Sequence, residues 1–285
     1  MVRSIVRAAV AALVLAVAVP TARGGEPRRV VCLGPSLVET AFALGCGGRL
    51  VGVDDYAAFP PAVRDLPRVG GVVNPNLERI TALGPDLILL ASPIPRLEAL
   101  AHRQGIPVAV VPMEDVAGIR RGVLEVASRL GCPERGKALA ARIVRELEAV
   151  RRTASRPGPR VVIQVGRPAG PGLAGIVVAG GRTFLGELVT LAGGRNLFDG
   201  ARRRYPVPSL ERLAASPPDL VFALEAGVPD PEAERSELER AWRALLGREA
   251  PRIVVLADPV FVVPGPRVAE AARRLAAILA REGAP

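Results

Sequence analysis

Apolar residues along this chain recur with two periods. Runs rich in Val, Ile and Leu at 29–33, 106–111, 160–165 and 252–256 read as short buried strands. Elsewhere the apolar positions fall three and four apart, the spacing of a helix with one buried face. This pattern covers 36–49, 97–104 and 183–195, and a last helix after Pro266 that carries Val268, Ala272, Leu275 and Leu279. Strands alternating with helices predict parallel sheets covered by helices, the α/β class.

The same pattern occurs twice. Residues 76–90 read Asn-Leu-Glu-Arg-Ile-Thr-Ala-Leu-Gly-Pro-Asp-Leu-Ile-Leu-Leu. Residues 209–223 read Ser-Leu-Glu-Arg-Leu-Ala-Ala-Ser-Pro-Pro-Asp-Leu-Val-Phe-Ala, without a gap at an offset of 133. Each copy has a capping residue (Asn76, Ser209), a short amphipathic helix, a Pro-Asp turn and a buried strand. Residues 36–49 and 183–195 are a second matched pair, each a helix ending in a glycine-rich turn before an arginine. The chain therefore holds two related α/β halves. Between them, residues 133–155 place Ala140, Ile143, Val144, Leu147 and Val150 at helical spacing, and Pro157-Gly158-Pro159 stops the run. The predicted organisation is an amino-terminal lobe over 28–132, one long backbone helix over 133–155 and a carboxyl-terminal lobe over 159–285. A ligand cleft is expected between the lobes.

The first residues stand apart. Arg3 and Arg7 precede an apolar run of 12 residues, Ala8 to Val19, followed by Pro20 and small residues. That is the plan of a cleavable signal peptide over 1–22, and the run is shorter than the roughly 20 residues a membrane span needs. Export to a periplasm is expected. The net charge of +10 is carried almost wholly by arginine, with Lys137 the single lysine, and aromatics make up 3%. So few stacking platforms argue against nucleic acid as a partner. The three cysteines, Cys32, Cys46 and Cys132, are too few and too irregular for a disulfide framework. Cys32 reads as a small core residue, and a Cys32–Cys46 pair is conceivable in an oxidising compartment.

In order along the chain stand Arg-Val-Val-Cys-Leu-Gly-Pro-Ser-Leu-Val-Glu-Thr at 29–40, Leu-Val-Gly-Val-Asp-Asp-Tyr at 50–56, Pro-Pro at 60–61 and Val-Gly-Gly at 69–71. There follow Asn-Pro-Asn-Leu-Glu-Arg-Ile at 74–80, Pro-Asp-Leu-Ile at 85–88, Ala-Gly-Gly-Arg-Asn at 192–196, Ser-Leu-Glu-Arg-Leu at 209–213 and Gly-Pro-Arg at 265–267. In this order they resemble the periplasmic binding proteins of ABC importers for vitamin B12, ferric siderophores and haem, most of all the vitamin B12 binders. The resemblance implies two lobes joined by a single long helix, a small-molecule ligand between them, a monomer, no resident cofactor or metal, and an importer permease with its ATPase as partner. It also implies that one glutamate per lobe docks on the permease; by motif position these are Glu78 and Glu211. A carboxylate in a first helical turn is also favoured by the helix dipole alone, by about 0.3–1 kcal/mol.

The cleft is expected to be lined by loops at the carboxyl ends of strands. Candidate ligand contacts are Pro35, Ser36, Tyr56, Val72 and Ser92 in the first lobe, and Arg167, Tyr205 and Arg267 in the second. Tyr56 matches a family tyrosine that packs on the ligand. The arginines suit carboxylates or an anionic ferric chelate. The vitamin B12 binders wall their cleft with tryptophans at positions that fall near Val72 and Ala91; here the one tryptophan, Trp242, sits in a late helix and reads as packing. Cobalamin or another corrinoid and an iron chelate stay open as ligands. Haem, with Tyr56 or Tyr205 on the iron, is the alternative. The single histidine, His102, is too little for a bare transition-metal receptor. An exported α/β hydrolase would need His102 as its base and lacks a Gly-x-Ser-x-Gly elbow, and Ser36 reads as a helix N-cap, so no enzyme is expected.

Overall fold

The computed structural model describes residues 26–154, 158–168, 170 and 172–282, so the leader expected over 1–22 lies outside the described residues. The first half runs β1 (Val30–Leu33), α1 (Pro35–Ala43), β2 (Leu50–Val53), α2 (Leu77–Ala82), β3 (Leu87–Leu90), α3 (Pro95–Arg103), β4 (Val108–Val110) and α4 (Val116–Arg129). Helix α5 (Pro133–Thr153) leads into β5 (Arg160–Gly166), β6 (Val177–Val178), α6 (Phe184–Leu191), β7 (Arg195–Asn196), α7 (Leu210–Ala214), β8 (Leu220–Leu224), α8 (Pro231–Leu246), β9 (Arg252–Leu256) and α9 (Val268–Glu282). The first sheet has the order β2-β1-β3-β4 and is parallel throughout. The second has the order β6-β5-β8-β9, with β6 antiparallel and β7 paired to the start of β5. These are the two α/β lobes that the alternation of strands and helices predicts.

Successive side chains of a strand point to opposite faces, so each strand feeds two cores. Val31, Leu33, Ile88 and Leu90 pack with α2 and α3 on the outer face of the first sheet. Val162, Val221 and Ala223 pack with α7 and α8, including the fully buried Trp242, on the outer face of the second. The inner faces do not form two separate cores. Val30, Cys32 and Leu89 from one sheet join Val161, Ile163 and Phe222 from the other in a single apolar cluster, through α1, α4, α5, α6 and α9. Helix α5 supplies the bridge. Its Leu139, Ala140, Ile143, Leu147 and Val150 are buried, and it packs on α4 in the first lobe and on α6 and α9 in the second. Val144, although at helical spacing, is exposed.

Both Pro-Asp turns do the same work. The Asp86 carboxylate accepts the Arg28 and Arg29 amides at 2.8 and 2.9 Å, tying the start of β3 to that of β1. Asp219 accepts the Arg160 amide at 2.7 Å and pairs with its guanidinium, tying β8 to β5. Helices α1 and α6 are shorter than their apolar spacing predicts. Gly45 (φ 69°) and Gly193 (φ 100°) turn the chain through backbone that L side chains avoid, ending each helix. The cap position of α1 is Gly34, not Ser36; Pro35 begins the helix and Ser36 lies buried inside its first turn. His102 is exposed, and among the described residues no helix is long and apolar enough to cross a membrane.

A shared inner core has a direct consequence. Leu147→Ala is expected to cost about 2–5 kcal/mol and to lower the urea midpoint of both lobes together, in one transition. Two transitions, with only one shifted, would contradict a common core.

Candidate functional site

The carboxyl edges of the two sheets face each other, and five contacts across the gap define how. Glu39 of α1 receives a bidentate pair from Arg267 at the start of α9, at 2.6 and 2.9 Å. The Arg267 guanidinium carbon lies 4.0 Å from the centroid of the Phe59 ring, in the loop after β2. On the other side, Arg204 reaches Asp115 at 3.1 Å. The Glu187 carboxylate of α6 accepts the Val116 amide at 2.8 Å, while the Phe184 amide donates to the Glu114 carbonyl at 2.9 Å. The amino end of α4 is thus capped twice, by its own Asp115 and by a carboxylate from the opposite lobe.

Burial lifts the pKa of Glu39, against the opposing pull of Arg267. For Asp115 burial also acts upward, but the Gly118 amide and Arg204 outweigh it and hold the carboxyl below its usual range. Glu39 and Asp115 are therefore each answered by an arginine of the opposite lobe.

In the first lobe the loops are organised by a residue that the sequence reading passed over. Asp54, fully buried at the end of β2, accepts the Gly34 amide and the Tyr56 amide, both at 2.9 Å. It joins the loop after β1 to the loop after β2. Burial raises its pKa, opposed by those two amides and by Arg68. Gly34 has φ 135°, and a Cβ there would stand 2.5 Å from the Ala91 Cβ, so glycine is required. Arg68 fastens the rest of the second loop through the carbonyls of Asp54, Ala57 and Val63. The signal was legible in principle: a carboxylate directly after a buried strand, inside the Val-Asp-Asp-Tyr stretch, must find donors.

This scaffold turns Tyr56 outward, 70% exposed, beside Gly71. Phe59 and Val73 are exposed on the same lobe. Tyr205, Val207 and Val262 are exposed on the second lobe. Burial pushes the Tyr205 hydroxyl up, helped by the Glu114 carboxylate from the first lobe. Of the remaining predicted contacts, Ser92 is exposed, Pro35 and Val72 are half-buried, and Ser36 is buried under Gly265.

Two predicted anion receptors are already engaged. Arg167 pairs with Glu234 and Glu237 of α8, both at 2.9 Å. Arg267 is held by Glu39, as above. Each guanidinium has its charge matched within the protein and lies within the wall. Arg202 and Arg203, by contrast, are exposed. Among the described residues no cluster of His, Cys, Asp and Glu could hold a metal ion. A surface hollow of about 530 Å³ around Arg195 and Asp199 lies by the start of β5, at the strand ends away from the cleft. Glu78 and Glu211 are both exposed in the first turns of α2 and α7, behind the caps Asn76 and Ser209. A backbone amide and the Ser209 hydroxyl hold the Glu211 carboxyl below its usual range.

A family profile described as "Periplasmic binding protein" matches residues 30–240. A vitamin B12-binding protein from Yersinia pseudotuberculosis is 28% identical over 272 residues, 93% of this chain and 91% of that relative. Among solved structures, a periplasmic haem-binding protein from Roseiflexus sp. RS-1 superposes with a TM-score of 0.74 at 27% identity, covering 91% of this chain and 100% of that one. The periplasmic vitamin B12-binding protein of Vibrio cholerae superposes with a TM-score of 0.72 at 24% identity, over 90% and 98% of the two chains, and bears on the fold alone.

The Glu39–Arg267 pair yields a test with a sign. Arg267→Met leaves a buried carboxylate without its partner and is expected to cost about 3 kcal/mol, most of which Glu39→Gln restores in the double variant. Because the folded pKa of Glu39 is raised, its contribution is full below the ordinary glutamate value and is lost as pH rises through the raised value. Glu39→Gln alone should therefore flatten that part of the stability–pH curve. An unchanged curve together with a loss below about 1 kcal/mol would show that the pair behaves as a solvated one.

Proposed function

Because the chain belongs to the periplasmic binding protein family, we propose that it is the extracytoplasmic solute-binding subunit of an ABC importer. In this reading it captures a corrinoid or an iron chelate between its lobes and delivers it to the membrane permease. The observation that carries the reading is the set of exposed apolar side chains on both lobes, Tyr56, Phe59 and Val73 on the first and Tyr205, Val207 and Val262 on the second. Exposed apolar side chains gathered at one cleft mark a place that something covers, and tyrosine suits a large flat ligand with polar edges. With Arg167 and Arg267 engaged by carboxylates, the ligand is held mainly by apolar contact, which favours a corrinoid over a small anionic chelate. The curated relative named for vitamin B12 points the same way. Haem is the second reading, supported by the haem-binding neighbour at 27% identity and by the two rim tyrosines. Export by the leader over 1–22 and a monomeric state belong to the same proposal.

A panel of cyanocobalamin, ferric siderophores and haemin tests the ligand. At about 100 times Kd a binder adds about 2.7 kcal/mol, a rise in Tm of roughly 5–10 °C at this size. Tyr56→Ala is expected to weaken the ligand so found at least ~10-fold, the loss of one buried aromatic contact. No shift with any of the three, or an unchanged Kd in the variant, would remove this ligand assignment.

Docking is proposed through Glu78 and Glu211. Two carboxylates on separately braced helices suit a charge-steered encounter with basic permease groups. The double variant Glu78→Arg, Glu211→Arg should abolish uptake in cells while ligand Kd stays within about twofold, as expected of exposed positions remote from the ligand. Normal uptake by the double variant would rule out these two residues.

A further inference from the structure

The sequence Leu-Gly-Cys occurs twice, at 44–46 and 130–132, and closes helices α1 and α4 in the same way. Gly45 and Gly131 adopt φ 69° and 70°. The Cys46 amide donates to the Ala41 carbonyl and the Gly45 amide to the Phe42 carbonyl, both at 2.8 Å; Cys132 to Ala127 and Gly131 to Ser128 repeat the pair at 2.8 and 3.1 Å. This double bond pattern folds the residue after the glycine back towards its own helix. Helices α1 and α4 pack side by side, so two identical terminations bring two cysteines together. The Sγ atoms lie 3.5 Å apart, 86 positions apart in sequence. The third cysteine, Cys32, is fully buried on β1, where burial pushes its thiol far up; the Cys32–Cys46 pairing considered from sequence is replaced by this one.

We propose that Cys46 and Cys132 form a disulfide in the exported protein, a modification that ties the end of α1 to the first residue before α5. The inference rests on the export proposed above, since disulfides persist in oxidising compartments. The folded pair is only 2% and 6% exposed, so closure precedes the final packing of α1 on α4. A thiolate of one cysteine attacks the disulfide of an exported dithiol–disulfide oxidant and forms a mixed disulfide. The second thiolate displaces the oxidant, which leaves as a dithiol; two protons pass from the chain's thiols and two electrons pass to the oxidant. The closed loop contains β2, β3, β4 and α2 to α4, and its clamp sits at the root of the interlobe helix.

The test is alkylation of the full chain recovered from cells, before and after reduction, with peptide mapping of the unreduced sample. The expected result for unfolded, unreduced protein is one alkylated cysteine, Cys32, and a cross-linked peptide pair containing Cys46 and Cys132. Reduction should lower Tm by on the order of 10 °C, an effect absent in the Cys46→Ala, Cys132→Ala variant. Three free thiols in protein from the extracytoplasmic fraction would overturn the disulfide. Protein retained in the cytoplasm would instead overturn export. The pair is then judged on the purified chain refolded in a glutathione redox buffer, where closure supports it and failure to close overturns it.

Discussion

The helical layer between the two sheets is the constraint on which everything else rests. A sheet must bury both faces, and here each inner face is buried against helices that are themselves shared. Helix α5 cannot leave α4, α6 or α9 without exposing part of its buried stripe. At about 25 cal/mol per Å² of apolar surface exposed, separating the lobes opposes a large part of the folding energy. The lobes are consequently parts of one packed object, with the facing sheet edges set at a fixed separation.

The polar contacts across the cleft refine that separation and account for the chemistry of its walls. On charge alone, a chain so rich in arginine would present a cationic cleft. Instead Arg267, Arg204 and Arg167 each meet a carboxylate, and two of those pairs run from lobe to lobe. On the first lobe the exposed Tyr56 and Phe59 are set on a loop pinned by Asp54 and Arg68. The basic excess falls on exposed positions such as Arg202 and Arg203. Net charge therefore says little about the ligand, and local pairing says more.

The α/β class, the paired Leu-Glu-Arg helices and the buried face of α5 were legible in the sequence because periodicity and capping are local properties. Trp242 was read as packing for the same reason, and it is fully buried. Pairings between distant positions were not legible. Nothing in residues 36–40 announces that Glu39 meets Arg267, or that Asp54 holds Gly34, because those contacts depend on how loops superpose. Ser36 illustrates a narrower failure: serine is a favoured cap, but the preceding Gly-Pro shifts the helix start by two residues and buries it. The two Leu-Gly-Cys endings went unread as a repeat, and their meeting depends on the packing of α1 on α4. The Glu78 and Glu211 helices were located by sequence, while their role in docking rests on the proposal above.

The most direct test of a preset cleft is the distance between the lobes in solution. Spin labels on cysteines introduced at the exposed positions Arg96 of α3 and Arg240 of α8 report it by double electron–electron resonance, the native cysteines being buried. A shared core predicts one narrow distance distribution without ligand, which keeps its mean when ligand is added. Two populations, or a broad distribution that collapses on ligand addition, would contradict it.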